Sequence, residues 1–428
     1  MKDLKTLTAI ITASTMLSAC NLLQSSDKAD VNASHVLETY VDIAQANFGD
    51  SLSSAETLEK SIDALLAAPT EQTLSAAKVA WVAARVPYQQ TEVYRFGNAS
   101  VDDWEGKVNA WPLDEGLIDY VDSSYGTESD ENSFYTANII ANAKPTIGGQ
   151  LIDASDISPA LLSDTLQEID EVESNVATGY HVIEFLLWGQ DLNGTNPGAG
   201  ARPATDFSLD NCTGGNCDRR RAYLSAATEL LISDLKDMVE SWSEGGNSDK
   251  ELAAKGDTGG LATMLTGMGS LAYGELAGER IKLGLMLHDP EEEHDCFSDN
   301  THWSHYYDAK GIKNVYLGEY QGISGASVNG ASLSDLVRVA NPGLDDEMRD
   351  KLSATESAMQ AMVDEAATGN TVDVLIGEGN EAGNKVIQNV VDALVSQTKT
   401  TEKIVVALGL DALEIEGSDS LDNPVAVK

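Results

Sequence analysis

A chain of 428 residues with 42% apolar side chains is long enough to bury the cores of two or three domains. Its net charge of −42 argues against nucleic acid or an anionic membrane surface as partner, because both are bound through a basic footprint that this composition lacks. Such a surplus of carboxylates either solvates the surface or draws cations into acidic clefts.

The N-terminus reads as a targeting segment. Lys2 and Lys5 precede an apolar run from Leu7 to Leu17, and Leu17-Ser18-Ala19-Cys20 looks like a bacterial lipobox. Residues 1–19 are therefore expected to be a lipoprotein signal peptide, Cys20 the lipidated residue, and residues 20–33 a polar tether. Asn21 stands where an aspartate would favour the inner membrane, so the expected location is the outer membrane, facing the periplasm or the exterior. No later stretch holds the roughly 18 unbroken apolar residues of a spanning helix, which leaves lipid as the expected anchor.

Helical spacing begins at Ser34. Val36, Tyr40, Ile43 and Phe48, then Leu52, Leu58, Ile62, Leu65 and Leu66, predict two helices joined near Gly49-Asp50. A third helix carries Leu74, Trp81, Ala84, Tyr88 and Glu92, with Pro87 late enough to kink or end it. Glu92 and Arg95 form an i, i+3 pair that a surface salt bridge would explain as well as a site. Residues 98–157 are turn-rich, and Trp111-Pro112-Leu113-Asp114-Glu115 is a loop able to supply carboxylates.

Leu162, Leu166, Ile169, Val172, Val176, Tyr180, Ile183 and Leu187 then recur at helical steps, predicting one long buried helix. His181 and Glu184 share a face beside that stripe. Neutral imidazole and carboxylate suit iron or zinc, and helical bundles build such sites from inward-facing ligands. The competing reading is a core histidine satisfied by Glu184 one turn along. The same spacing occurs at His35 to Glu38 and at His288 to Glu291, but only His181 lies within a long apolar segment.

Residues 193–217 lack periodicity and read as a connecting loop. Within it, a Cys212–Cys217 disulfide can close a short turn, leaving Cys296 over. A second helical series runs over 219–242, 261–287, 333–362 and 386–413. Its second member repeats the aromatic, glutamate and arginine order of the first half, with Tyr273, Glu275, Glu279 and Arg280 against Tyr88, Glu92 and Arg95. In both halves an acidic, aromatic loop and a longer helix follow. A duplicated bundle is the expected architecture, with no second copy of His181. His294, Cys296, His302 and His305 form a second cluster that could hold a metal; their mixed spacings match no zinc-finger pattern, and histidines scattered over a wet loop are the competing reading.

Five ordered blocks resemble the imelysin family, most nearly its iron-regulated protein A branch. They are Trp81 with Arg85; Thr91-Glu92 with Arg95-Phe96-Gly97; Trp111-Pro112-Leu113-Asp114-Glu115; Gly179-x-His181-x-x-Glu184; and Gly274-Glu275-Leu276-Ala277-Gly278-Glu279-Arg280. The resemblance runs from about Ser34 to about Leu413. It implies an all-α protein of two similar helical bundles packed together, assigned here to 34–205 and 206–416, with the Gly-x-His-x-x-Glu motif near their interface. It also implies a bacterial surface or periplasmic lipoprotein, of a kind often induced by iron limitation. By position, the family motif falls on Gly179, His181 and Glu184, and the other polar blocks fall on Glu92, Arg95, Asp114 and Glu279.

The expected function is therefore binding of a metal ion, iron more than zinc, or of an iron chelate. His181, Glu184, Glu92 and Asp114 are the expected ligands, and an outer-membrane iron-uptake protein is a candidate partner. The family's classing as peptidase M75 implies the alternative, a metal-dependent peptidase with Glu184 or Glu92 as base. No His-Glu-x-x-His is present, yet a hydrolytic zinc site needs only three protein ligands and an open water position. His181, Glu184 and one of Glu92 or Asp114 would supply three. Carboxylate-dominated ligation favours binding over hydrolysis.

Overall fold

The computed structural model describes residues 31–130, 132–411 and 413–427. The signal segment, Cys20 and most of the tether lie outside the described residues. As the family resemblance implies, the protein is all-α, and among the described residues the strands form two short antiparallel hairpins, Thr146–Ile147 with Gln150–Leu151 and Glu319–Gln321 with Ser327–Asn329. Among the described residues no helix is long and apolar enough to cross a membrane.

Helix α1, Ala33–Ala67, starts where the Asn32 side chain accepts from the His35 amide, 3.0 Å away. It is a single rod, where a break at Gly49-Asp50 was expected. An interior glycine costs about 1 kcal/mol, and the buried stripe through Tyr40, Ile43, Phe48, Leu58 and Ile62 outweighs that cost. Helix α2, Glu71–Gln89, opens with a Thr70–Thr73 capping box and holds Pro87 in its last turn. Helix α3, Ala99–Val108, emerges from the segment read as turns.

The long helix expected over 162–187 is not continuous. Leu162–Leu166 is a single π turn, and Glu168, Asp170 and Glu171 then take positive φ values of 52°, 67° and 61°. Helix α4 begins only at Gly179 and ends at Trp188. Leu162, Leu166, Ile169 and Val176 are all buried, so their spacing records burial by an irregular chain. Gly179 has φ +88°, and a Cβ there would lie 2.5 Å from the Val108 carbonyl oxygen. The start of α4 thus depends on a residue with no side chain.

Helix α5, Cys217–Ser241, follows a loop closed by the Cys212–Cys217 disulfide, with Cα atoms 5.9 Å apart. It packs on α1 and α4, and with α2 these make a first group of helices. The second group opens with a rod over 256–287, labelled α6, whose middle, Leu271–Lys282, is wound as a π-helix. It continues with α7, Thr301–Leu317, α8, Pro342–Ala366, and α9, Glu381–Ala407. Helix α7 packs against α2, joining the two groups, and the polar residues described next meet at this junction.

Gly179→Ala is expected to cost about 2–5 kcal/mol, the sum of a left-handed penalty of about 1–2 and an overpacking term of about 1–3. Gly215→Ala, at φ +71° with nothing near its missing Cβ, is expected to pay only the first. Urea unfolding of both variants checks this, and equal losses would contradict the role given to the Val108 contact.

Candidate metal centre

Trp81 and Arg85 project from α2 toward α4. The Trp81 indole donates to the Tyr180 carbonyl at 3.0 Å and its ring meets Trp188 edge-on at 5.4 Å, which fixes α4 against α2. One turn on, the buried Arg85 guanidinium donates to Asn109 Oδ1 at 2.6 Å and to Asp295 Oδ1 at 2.9 Å. Asp295 belongs to the loop before α7. The pair therefore bridges the two groups of helices.

Around this pair stand three histidines. His181 Nδ1 lies 3.1 Å from Glu184 Oε2 and 3.9 Å from Asp295 Oδ1. Glu184 Oε1 accepts from the Ser298 amide at 2.9 Å, so the α4 carboxylate also grips the Asp295 loop. The rings of His181 and His294 are 4.6 Å apart, and His305 of α7 follows at 6.3 Å from His294. His181, His294 and Asp295 each offer one ligand atom within 4.8 Å of the other two, and all three are at most 1% exposed. His181 Nε2 and His294 Nδ1 have no hydrogen-bond partner. An unsatisfied buried polar atom costs about 1–3 kcal/mol, so unpartnered ring nitrogens in one buried cluster call for a ligand.

The protonation states agree. Burial pushes His181 and His305 down to about 3, and His294 well below its ordinary range, so all three rings are neutral at neutral pH. That is the form that ligates a metal. Burial opposes the charge on Asp295, but the Arg85 guanidinium and the hydrogen bonds from Ser304 and Asn300 together hold the carboxyl below the usual value. Burial, then the Asp295 charge, pushes Glu184 well above its own. Two neutral imidazoles and one carboxylate fit a divalent transition metal.

Residues 44–401 match the family model described as Imelysin, peptidase M75. The chain belongs to the imelysin family. It is 30% identical over 105 residues to iron-regulated protein A of Synechococcus elongatus, a stretch covering 24% of this chain and 28% of that protein. Two crystal structures share the fold. An iron-regulated protein A precursor from Parabacteroides distasonis ATCC 8503 superposes with a TM-score of 0.63 at 19% identity, covering 90% of this chain and 97% of that one. An imelysin-like protein from Psychrobacter arcticum 273-4 gives 0.58 at 17% identity, covering 90% and 98%.

Within this imelysin fold the residues singled out from the sequence divide into three groups. Gly179, His181 and Glu184 stand together, with Glu184 bonded to the imidazole it was expected to join as a ligand. Glu92 and Arg95 belong instead to a neighbouring ion network. Glu92 Oε2 lies 2.8 Å from Arg280, and Arg95 lies 2.8 Å from Asp102 and 3.3 Å from Glu275. Glu279 is exposed, while Glu275, one turn earlier, pairs with Arg280 at 2.7 Å. Asp114 accepts from Asn132 and Ser174 and lines a cleft of about 690 Å³.

Sequence reasoning missed His294, Asp295 and His305 as partners of His181. The histidine cluster was visible, but it reads as wet when it is buried. Cys296, the free thiol, faces the cleft. His288 caps the end of α6 and contacts the Ile376 carbonyl.

Arg280 is the hub beside the histidines, reaching Glu92, Glu275 and, at 3.4 Å, Asp308 from both groups of helices. Removing one partner of a buried charge network leaves the others uncompensated, at about 3–5 kcal/mol. Arg280→Met is expected to lose that much stability in urea, and Glu279→Gln to stay within about 0.5 kcal/mol of the parent. Equal stability of Arg280→Met and the parent would remove the network from the account of the interface.

Proposed function

We propose that this protein binds an iron ion between its two helical bundles, in iron acquisition at the cell envelope. The observation that carries the reading is the convergence of His181, His294 and Asp295 with unpartnered imidazole nitrogens around them. A relative named iron-regulated protein A supports iron over zinc. When bound, the ion would supply a redox-active, Lewis-acidic centre.

The chain's own residues have distinct tasks. Glu184 takes His181 Nδ1 and so leaves Nε2 for the ion, the usual way a carboxylate orients a ligating imidazole. Arg85 holds the Asp295 carboxylate in place and ionised. Trp111 lines the acidic cleft and meets His294 edge-on at 5.8 Å, which supports the cleft as the way in. Asp114, Glu115, Asp122, Asp191, Glu291 and Glu292 line that cleft, and among its described lining residues none is basic. Such a wall concentrates cations.

The burial of all three ligands favours holding an ion over cutting a polypeptide, which has no access to a residue at most 1% exposed. Lipidation at Cys20, an outer-membrane location and an uptake partner there belong to the same proposal. They are supported by the Leu17-Ser18-Ala19-Cys20 ending.

Metal analysis after iron loading tests the reading. Wild type is expected to hold one iron per chain, with a raised melting temperature. His181→Ala, His294→Ala and Asp295→Asn are expected to hold none, and Glu184→Gln to bind about 10- to 100-fold more weakly. Glu92→Gln and Asp114→Asn are expected to keep the full stoichiometry. Wild type that takes up no iron under reducing or oxidising conditions would overturn the reading, as would a His294→Ala variant that binds normally. Peptide turnover that disappears with the metal would favour the peptidase.

A further inference from the structure

A second group of acidic side chains lies next to the loop that carries His294 and Asp295. Asp191 follows α4, Asp299 precedes α7, and Asp373 sits in the short helix Val372–Ile376. Each offers a carboxylate oxygen within 4.8 Å of the other two. Acidic clusters are common without a ligand, and what sets this one apart is its buried edge. Asp373 and Glu293 are each only 2% exposed. Thr371 and the Val374 amide stand near Asp373, and Thr301 near Glu293, but none of them reaches good hydrogen-bond geometry with the carboxylate oxygens. Glu293 lines one small cavity with Asp191 and Asp373. Its volume of about 10 Å³ matches a single water or ion.

Charge makes the same demand. Among the described residues none of these four carboxylates forms an ion pair with a lysine, arginine or histidine. Like charges this close repel strongly away from water, and a buried carboxylate without a partner is costly. A cation removes both penalties at once.

We propose that Asp191, Glu293, Asp299 and Asp373 form a calcium site, separate from the histidine centre, that clamps the loop after α4 and the loop before α7 onto the helix Val372–Ile376. The four carboxylates offer oxygen alone, the donor a hard cation prefers, although the Cys296 thiol also borders the cavity. Calcium is bound at about 2.3–2.6 Å, so ligands on opposite sides stand about 4.6–5.2 Å apart, a span that accommodates the Asp191, Asp299 and Asp373 oxygens, which lie within 4.8 Å of one another. Magnesium demands a tighter octahedron of about 2.0–2.1 Å and keeps most of its waters, which a cavity of this size does not house.

Calcium titration of the chelator-stripped protein, by calorimetry and thermal melting, tests the proposal. Wild type is expected to bind one calcium per chain and to melt several degrees higher in millimolar calcium. Asp373→Asn is expected to lose at least tenfold in affinity. In chelator it should melt no lower than wild type, because the substitution removes an uncompensated buried charge. That second expectation separates a lost ligand from a failure to fold. Asp346→Asn, at an exposed carboxylate, should respond as wild type. His181→Ala should also keep the calcium response, so failure of the iron reading leaves this result standing. No heat and no melting shift with wild type would overturn the proposal. So would an equal shift in Asp373→Asn, or an equal shift with magnesium.

Discussion

The ion pair between Arg85 and Asp295, 2.9 Å long and wholly buried, ties α2 of the first bundle to the loop that enters the second. Withdrawing two such charges from water costs several kcal/mol per ion, and their attraction repays this only when the remaining donors and acceptors are also satisfied. The surroundings meet that condition from several directions. Asn109, just past α3, accepts from Arg85, while Asn300 and Ser304 donate to the other oxygen of Asp295. Asn109 thus comes from the end of α3 and Asn300 and Ser304 from the start of α7. The pair can form only when both bundles are docked, and once formed it sets the loop on which His294 stands beside His181.

A second constraint is the balance of charge at the junction. Arg85, Arg95 and Arg280 face Glu92, Glu105, Glu275, Asp295 and Asp308, five acids against three guanidinium groups. Burial, then the Glu92 charge, pushes the Glu105 carboxyl up to about 7. Three neutral imidazoles add donors without adding positive charge. An interface built this way is stable as a protein and still electrically receptive to a cation, and the acidic cleft outside it has the same sign.

The sequence made some of this legible and hid the rest for physical reasons. His181 and Glu184 could be paired because a helix brings i and i+3 together, whatever the tertiary structure. Glu92 and Arg280 were both visible as members of a repeated pattern, one in each half. That they are each other's partners was not, since contact between repeats leaves no periodicity. His294 and Asp295 come from an irregular loop whose burial follows from the docking of α4 and α7. The helix expected over 162–187 failed for a related reason. Apolar residues every three or four positions record which side chains are buried, and an irregular chain pressed against a core produces the same record.

The histidine centre is defined by which side chains reach the ion. X-ray absorption at the iron edge of the loaded protein reads the nearest neighbours directly. Two imidazoles, from His181 and His294, should give a nitrogen and oxygen shell with the outer-ring scattering that histidine produces. A shell of oxygens alone, or one containing sulfur from Cys296, would contradict the assignment of the centre to these three residues.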